Sequence, residues 1–269
     1  MKICRFEVEG RSRHGVVEGN YVVDRDQPEE RYALEELQLL APVQPRKFLA
    51  IGLNYADHIA ESGMQAPEFP IFFNKQVTCV VGPGEDVHMP RVSTLLDYEG
   101  ELAIVIGTRC RHVPAERAPE VIAGYTITND VSVRDWQLRT PTMTMGKSFD
   151  THGPLGPWVV TPDELGDPHD LQMTLRVNGE SRQESHSGNM SVTIPEILSH
   201  YSALGYSAGD VVSTGTVSGV AGFSEDAASL YLKPGDVIEA EIEKIGILRN
   251  PVISWQDAHG EPAPPRLAW

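Results

Sequence analysis

The sequence predicts a mainly β protein with some α, of the sandwich or barrel type. Short runs of strand length recur along the chain, alternating or wholly apolar, and turn residues bound each of them. Twenty prolines and twenty-four glycines among 269 residues suit a loop-rich fold. Helical patterns are few and do not alternate regularly with the strand runs, which argues against a parallel βαβ sheet.

In order, "KICRFEVEG" and "GVVEGNYVV" read as strands and "PEERYALEELQLL", residues 28–40, as a helix. "APVQPRK" follows. Its two prolines mark a boundary between a small N-terminal α+β domain, 1–45, and a larger domain, 46–269. Beyond it the strand runs are "KFLAIGL", "ELAIVIG", "VIAGYTITNDVSV", "PWVVT", "LQMTLRVNGESRQ", "DVVSTGT" and "DVIEAEIEKIGILRNPV". Asn178-Gly179 between two alternating runs is a strong hairpin signal, and "KPGD" at 233–236 is a similar turn. Helical patterns cover 55–63, 132–140 and 193–204.

Composition excludes several classes of function. The formal charge is −16 and no Lys/Arg cluster interrupts it, so nucleic acid is not an expected partner. No apolar run approaches the ~20 residues that span a bilayer, so no membrane partner is expected. The start, "MKICRFEVEG", lacks the apolar stretch of a signal peptide. Cys4, Cys79 and Cys110 are odd in number and not spaced as a zinc site. Reduced core thiols and a cytoplasmic location are the expectation.

The candidate chemistry begins in "LLDYEGELAIVIG", residues 95–107. Asp97, Glu99 and Glu101 alternate, so an extended strand would put all three carboxylates on one face. The strand then turns apolar on both faces, with Ala103 and Val105 on one and Leu102, Ile104 and Ile106 on the other. Acids at the rim of such a buried segment repel each other unless a cation sits among them, and all-oxygen ligands suit Mg²⁺, Mn²⁺ or Ca²⁺. "TITNDVSVRDWQ" offers a third acid, Asp130. A helix there would put Asp130, Arg134 and Gln137 on one face, although an N-cap aspartate with a surface ion pair is the competing reading. In "GLNYADHIAESG", one helical turn joins His58 to Glu61, a pairing able to activate water, with the flanking Gly52 and Gly63 suiting a lid; an exposed i,i+3 pair with no catalytic role is the competing reading. "MGKSFDTHGPLGP" lacks the spacing of a phosphate loop, so Lys147 reads either as a point charge for a carboxylate or enolate oxygen or as a surface lysine in a turn. "STGTVSGV" can offer backbone N–H groups and the Thr216 hydroxyl to a ligand.

Taken together and in this order, these segments, with "VNGE" and "LKPGDVIEAEIEKIGILRNPV", resemble the fumarylacetoacetate hydrolase family from about Lys47 to Pro251. The resemblance implies a mixed β-sandwich roll, a homodimer, and a divalent cation, Mg²⁺ or Mn²⁺ with Ca²⁺ as a further option. The ligands it implies are Glu99, Glu101 and Asp130, with Asp97 in a supporting position. His58 and Glu61 would be the water-activating pair on a lid helix, with Lys147 beside them. Arg134, Gln137 and Thr216 would contact substrate, and Asn54, Tyr55 and Lys75 are expected to join them. The implied substrate is a small 2-oxo-carboxylate. The expected reaction is hydrolysis of a C–C bond in a 2,4-diketo acid, such as fumarylpyruvate or a diketo-deoxy sugar acid, to pyruvate or a related 2-oxo acid and a second acid. The alternative is an oxaloacetate decarboxylase or a 2-hydroxyhepta-2,4-diene-1,7-dioate isomerase or decarboxylase using the same metal–enolate chemistry.

Overall fold

A computed structural model describes residues 1–260 of the chain, so the C-terminal bound expected for the larger domain, residue 269, lies outside the described residues. The N-terminal strands are β1 (Lys2–Val8), β2 (Arg11–Glu18), β3 (Tyr21–Asp24), β4 (Arg31–Ala33) and β5 (Gln38–Leu40). Next come β6 (Phe48–Gly52), helix α1 (Ala56–Ser62), β7 (Ile71–Lys75), β8 (Val80–Val81), β9 (Val87–His88), β10 (Leu96–Asp97) and β11 (Gly100–Ile106). They are followed by β12 (Ile122–Asn129), β13 (Ser132–Val133), the single turn α2 (Arg134–Gln137), β14 (Gly153–Val160), α3 (Pro162–Leu165), β15 (Gln172–Val177) and β16 (Glu180–His186). The last are α4 (Ile194–Tyr201), β17 (Val211–Thr216), α5 (Ala227–Leu230), β18 (Val237–Ile242), β19 (Gly246–Ile253) and α6 (Trp255–His259).

A twelve-stranded mixed sheet runs β4-β3-β2-β1-β14-β12-β11-β17-β6-β7, with β5 on β1 and β8 on β14. A five-stranded sheet runs β16-β15-β18-β19-β9. The main core joins them: Leu102, Ile104 and Ile127 of the large sheet pack with Met173, Leu175, Ile238, Ala240 and Leu248 of the smaller one. Ala103 and Val105 of β11 face the opposite way, into a second cluster with Phe48, Leu155 and Val211. β11 is therefore buried on both faces, as its unbroken apolar run requires. No helix among the described residues is long and apolar enough to cross a membrane.

Local signals explain most elements. Asn178 and Gly179 have φ of 55° and 80°, the two left-handed residues that a tight turn between β15 and β16 needs. Gly63 at φ 65° ends α1 by an αL cap. Thr193 and Glu196 form a capping box at α4.

Two helical expectations are corrected. Residues 28–40 form β4, one 3₁₀ turn (Leu34–Glu36) and β5 instead of a helix. Pairing with β3 and β1 takes up their backbone. Tyr32, Leu34, Leu37 and Leu39 then cover the Cys4, Phe6 and Val22 cluster. Tertiary burial outweighs a local preference worth only tenths of a kcal/mol per residue. Through Lys2↔Val160 and Ile3↔Val159, β1 extends the large sheet directly. Likewise 132–140 supports only the turn α2 after β13, so Asp130 lies outside any helix.

Candidate active site

β11 and β12 pair antiparallel, with Gly100 opposite Asn129 and Glu101 opposite Thr128. That register brings Asp130, just past β12, beside Glu99, just before β11. The Asp130 N–H donates to the Glu99 carbonyl at 2.8 Å, and the Asn129 side chain accepts the Glu99 N–H at 2.9 Å. On the other flank Glu101 lies opposite Thr216 of β17, next to an irregularity in that pairing. Carboxylate oxygens of Glu99, Glu101 and Asp130 consequently lie within 4.8 Å of one another, and all three residues are buried.

Two buried lysines and the half-buried Arg134 are arranged around them. The Lys147 ammonium is 2.6 Å from Glu99 Oε2 and 2.9 Å from Asp130 Oδ2. Lys75 Nζ is 2.5 Å from Asp130 Oδ1 and also donates to the carbonyl of Lys147. Arg134 Nη1 reaches Glu99 Oε1 at 2.6 Å and Gln137 Oε1 at 2.9 Å, while its Nε lies 2.7 Å from Asp97 Oδ2. Asp97 has left the face of the other two acids, because the strand breaks at Tyr98 and Glu99. Its oxygens accept the N–H groups of Ala221 and Gly222 at 3.0 and 2.8 Å and hold Arg134 from behind.

These environments drive the carboxyls apart. Burial alone would raise Glu99, but Lys147 and Arg134 overcome it and hold the group down to about 2. For Glu101, burial and then the charges of Asp130 and Glu99 all act upward, and its acid is pushed well above the carboxylate range. Burial would lower the Lys147 ammonium, yet Asp130 and Glu99 raise it. Among the described residues Glu101 forms no ion pair; its Oε2 accepts the Gly215 N–H at 3.1 Å. Four buried carboxylates, counting Asp97, thus face three cations. A hard all-oxygen donor set carrying one uncompensated carboxylate fits a divalent cation.

Over this cluster opens a cavity of about 350 Å³, lined by Glu99, Glu101, Arg134, Gln137, Lys147, Thr216 and His58 together with many apolar side chains. His58 comes from α1, where Nδ1 lies 3.2 Å from Glu61 Oε2, leaving Nε2 for the cavity side. Both Glu61 oxygens accept the Gly219 N–H at 3.0 Å, and Asp57 accepts hydroxyls from Ser185 and Ser218. These side-chain bonds secure a helix of only seven residues. The Phe223 ring packs 5.4 Å from that of His58.

Three expected substrate contacts are placed elsewhere. Asn54 is spent on backbone: its amide donates to Val192 and Thr214 carbonyls at 3.2 and 2.9 Å, and its oxygen accepts the Val192 N–H at 2.9 Å. The Tyr55 hydroxyl, fully buried, lies 3.2 Å from that of Thr214. Lys75 is the buried counter-ion of Asp130. None of the three lines the cavity. The grouping of Asp130, Arg134 and Gln137 on one helix is replaced by a β-turn–helix path in which only Arg134 and Gln137 share α2. The lysine on the buried parity of β7, beside Phe73, was the available sign of Lys75's structural role.

A family model described as fumarylacetoacetate hydrolase, C-terminal, matches residues 47–253. The chain belongs to the fumarylacetoacetate hydrolase family. A second model, Rv2993c-like N-terminal, matches residues 1–42. The family member described here is 37% identical to 2,4-didehydro-3-deoxy-L-rhamnonate hydrolase of Sphingomonas sp. (strain SKA58), covering 95% of this chain and 97% of that one. It is 40% identical to the mitochondrial oxaloacetate tautomerase FAHD2A of Homo sapiens over 81% of this chain and 70% of that one. Among solved structures, the fumarylacetoacetate hydrolase from psychrophilic Exiguobacterium antarcticum superposes with a TM-score of 0.85 at 36% identity, covering 94% of this chain and 99% of that one. Members of the fumarylacetoacetate hydrolase family are thus enzymes of more than one kind, and the buried acidic cluster is where such an enzyme could hold a metal.

Proposed function

We propose that the protein is a divalent-metal-dependent hydrolase that cleaves the C–C bond of a 2,4-diketo acid. One observation carries the reading: His58, held through Nδ1 by Glu61, stands on the wall of the same cavity that Glu99 and Glu101 line. Glu99, Glu101 and Asp130 would hold Mg²⁺ or Mn²⁺, with Ca²⁺ also compatible with oxygen ligands. When bound, the ion supplies Lewis-acid stabilisation of the charge that develops on the 2-oxo oxygen.

The chain's own residues do the rest. Arg134 and Gln137 orient the substrate's carboxylate end, and Lys147 adds positive charge where the enolate forms. Glu61 holds Nδ1 of His58, so Nε2 takes a proton from water. The resulting hydroxide adds to the C4 carbonyl. The C3–C4 bond breaks, its electron pair moves into the enolate of pyruvate, and the proton held on His58 returns to C3. Pyruvate, or a related 2-oxo acid, and a carboxylic acid leave.

A second reading, keto–enol conversion or decarboxylation of oxaloacetate, draws on the similarity to FAHD2A. That chemistry needs the enolate-stabilising cluster and no attacking water. Purified protein with Mg²⁺ and a panel of acylpyruvates, diketo sugar acids, oxaloacetate and unsaturated dioates separates the two when pyruvate, CO₂ and enol absorbance are followed. Hydrolysis should disappear on exhaustive chelation and fall ~10²–10⁴-fold in His58→Ala. Parental hydrolysis in His58→Ala would rule out the dyad, and turnover of oxaloacetate alone would establish the second reading.

A further inference from the structure

The cavity's charged groups are already committed. Arg134 is bound to Asp97 and Glu99, and Lys147 to Glu99 and Asp130. What a 2-oxo-carboxylate head would leave for its acyl tail is the remaining wall. Leu53, Ile71 and Met143 belong to it, with Met64, Leu138 and Phe223 on the exposed side, 50%, 78% and 39% accessible. Among the described residues, no basic side chain lines the cavity except Arg134, Lys147 and His58. Among the described residues, the one further carboxylate on the lining is Asp135, which accepts the Ser93 hydroxyl at 2.6 Å and would repel a second carboxylate.

We infer that the acyl subsite takes an uncharged, apolar tail, so that the substrates are alkanoyl- or aroyl-type 2,4-diketo acids rather than dioates such as fumarylpyruvate or polyhydroxylated sugar acids. This deepens the hydrolase reading and rests on it. Each methylene that leaves water for such a wall raises kcat/KM about three- to fourfold. A terminal carboxylate desolvated there without a partner lowers it at least about tenfold. A sugar-type tail loses hydroxyl hydration in the same way, with few donors or acceptors to replace it.

The test compares kcat/KM, with Mg²⁺ supplied, for acetyl-, butanoyl- and hexanoylpyruvate against fumarylpyruvate and a 2,4-diketo-3-deoxy sugar acid. The expected order rises along the alkanoyl series, with fumarylpyruvate at least about tenfold below butanoylpyruvate, whose acyl group has the same carbon count. Fumarylpyruvate or the sugar acid matching butanoylpyruvate would overturn the inference and leave the hydrolase reading standing. Absence of cleavage for every diketo acid would overturn the hydrolase reading itself, and the inference with it. In a second arm, Leu138→Arg places a guanidinium at the exposed side of the cavity. It should raise the ratio of fumaryl- to butanoylpyruvate about tenfold or more. An unchanged ratio in a folded Leu138→Arg protein would show that this wall does not meet the tail.

Discussion

The bottom of the cavity and the helix above it are built by different means. Below, Glu99, Glu101 and Asp130 sit at the ends of adjacent central strands, and buried ion pairs hold the oxygens of Glu99 and Asp130. Above, His58 rides on one short helix that lacks a side-chain N-cap bond. It is tied down by Asp57 to two serines and by Glu61 to one backbone N–H. Strand register places charge where nothing can move, whereas a few side-chain bonds hold a group that must meet water and substrate. The first arrangement resists change because buried charges are costly to unpair; the second gives way readily.

The sharpest break in that contrast comes at the bottom. Glu101→Gln should lower hydrolysis ~10³-fold or more and abolish the rise in Tm on adding Mg²⁺. The metal-free variant should be at least as stable as the parent near neutrality. Glu101's raised pKa means the fold favours its neutral form: that contribution is present below the ordinary value of 4.5 and is lost as pH rises through the raised one. A neutral glutamine keeps it. A Mg²⁺-dependent Tm shift that survives this substitution would remove Glu101 from the metal site.

Lys75→Met should come next. It strips Asp130 of a counter-ion that is wholly buried, and breaking a buried pair from one side costs about 3–5 kcal/mol. A urea midpoint shifted by less than the equivalent of ~1 kcal/mol would show that Lys147 alone balances Asp130.

Smaller again is the pH dependence of metal binding. Protons compete for Glu101, so the Tm increment from saturating Mg²⁺ should shrink as pH falls through its raised titration, which lies well above the ordinary 4.5. Glu99 behaves in the opposite sense. Held near 2, it stabilises the fold above its ordinary value of 4.5, and that contribution fades only as pH falls towards 2. An increment unchanged with pH would contradict the environment of Glu101.

The smallest effect belongs to the helix. Asp57→Ala releases α1 from Ser185 and Ser218 and should change KM about three- to tenfold, with global stability altered by less than ~1 kcal/mol. A large loss of stability would show that α1 belongs to the rigid frame after all.

Local patterns carried much of this architecture. The alternation of Glu99 and Glu101 before a run apolar on both faces already implied a central strand with its acids at the rim. The i,i+3 spacing of His58 and Glu61, closed by Gly63, already implied a single helical turn bearing both. Such features depend on backbone periodicity within a few residues, and periodicity is written in the chain. The choice of Asp130 as third acid, the release of Asp97 to hold Arg134, the pairing of Lys75 with Asp130 and the strands formed by 28–40 depend on which elements meet across the sheet. Those outcomes are set by long-range register and burial: a buried charge must find an opposite one wherever the fold brings it, and an apolar segment takes whatever backbone form covers the core.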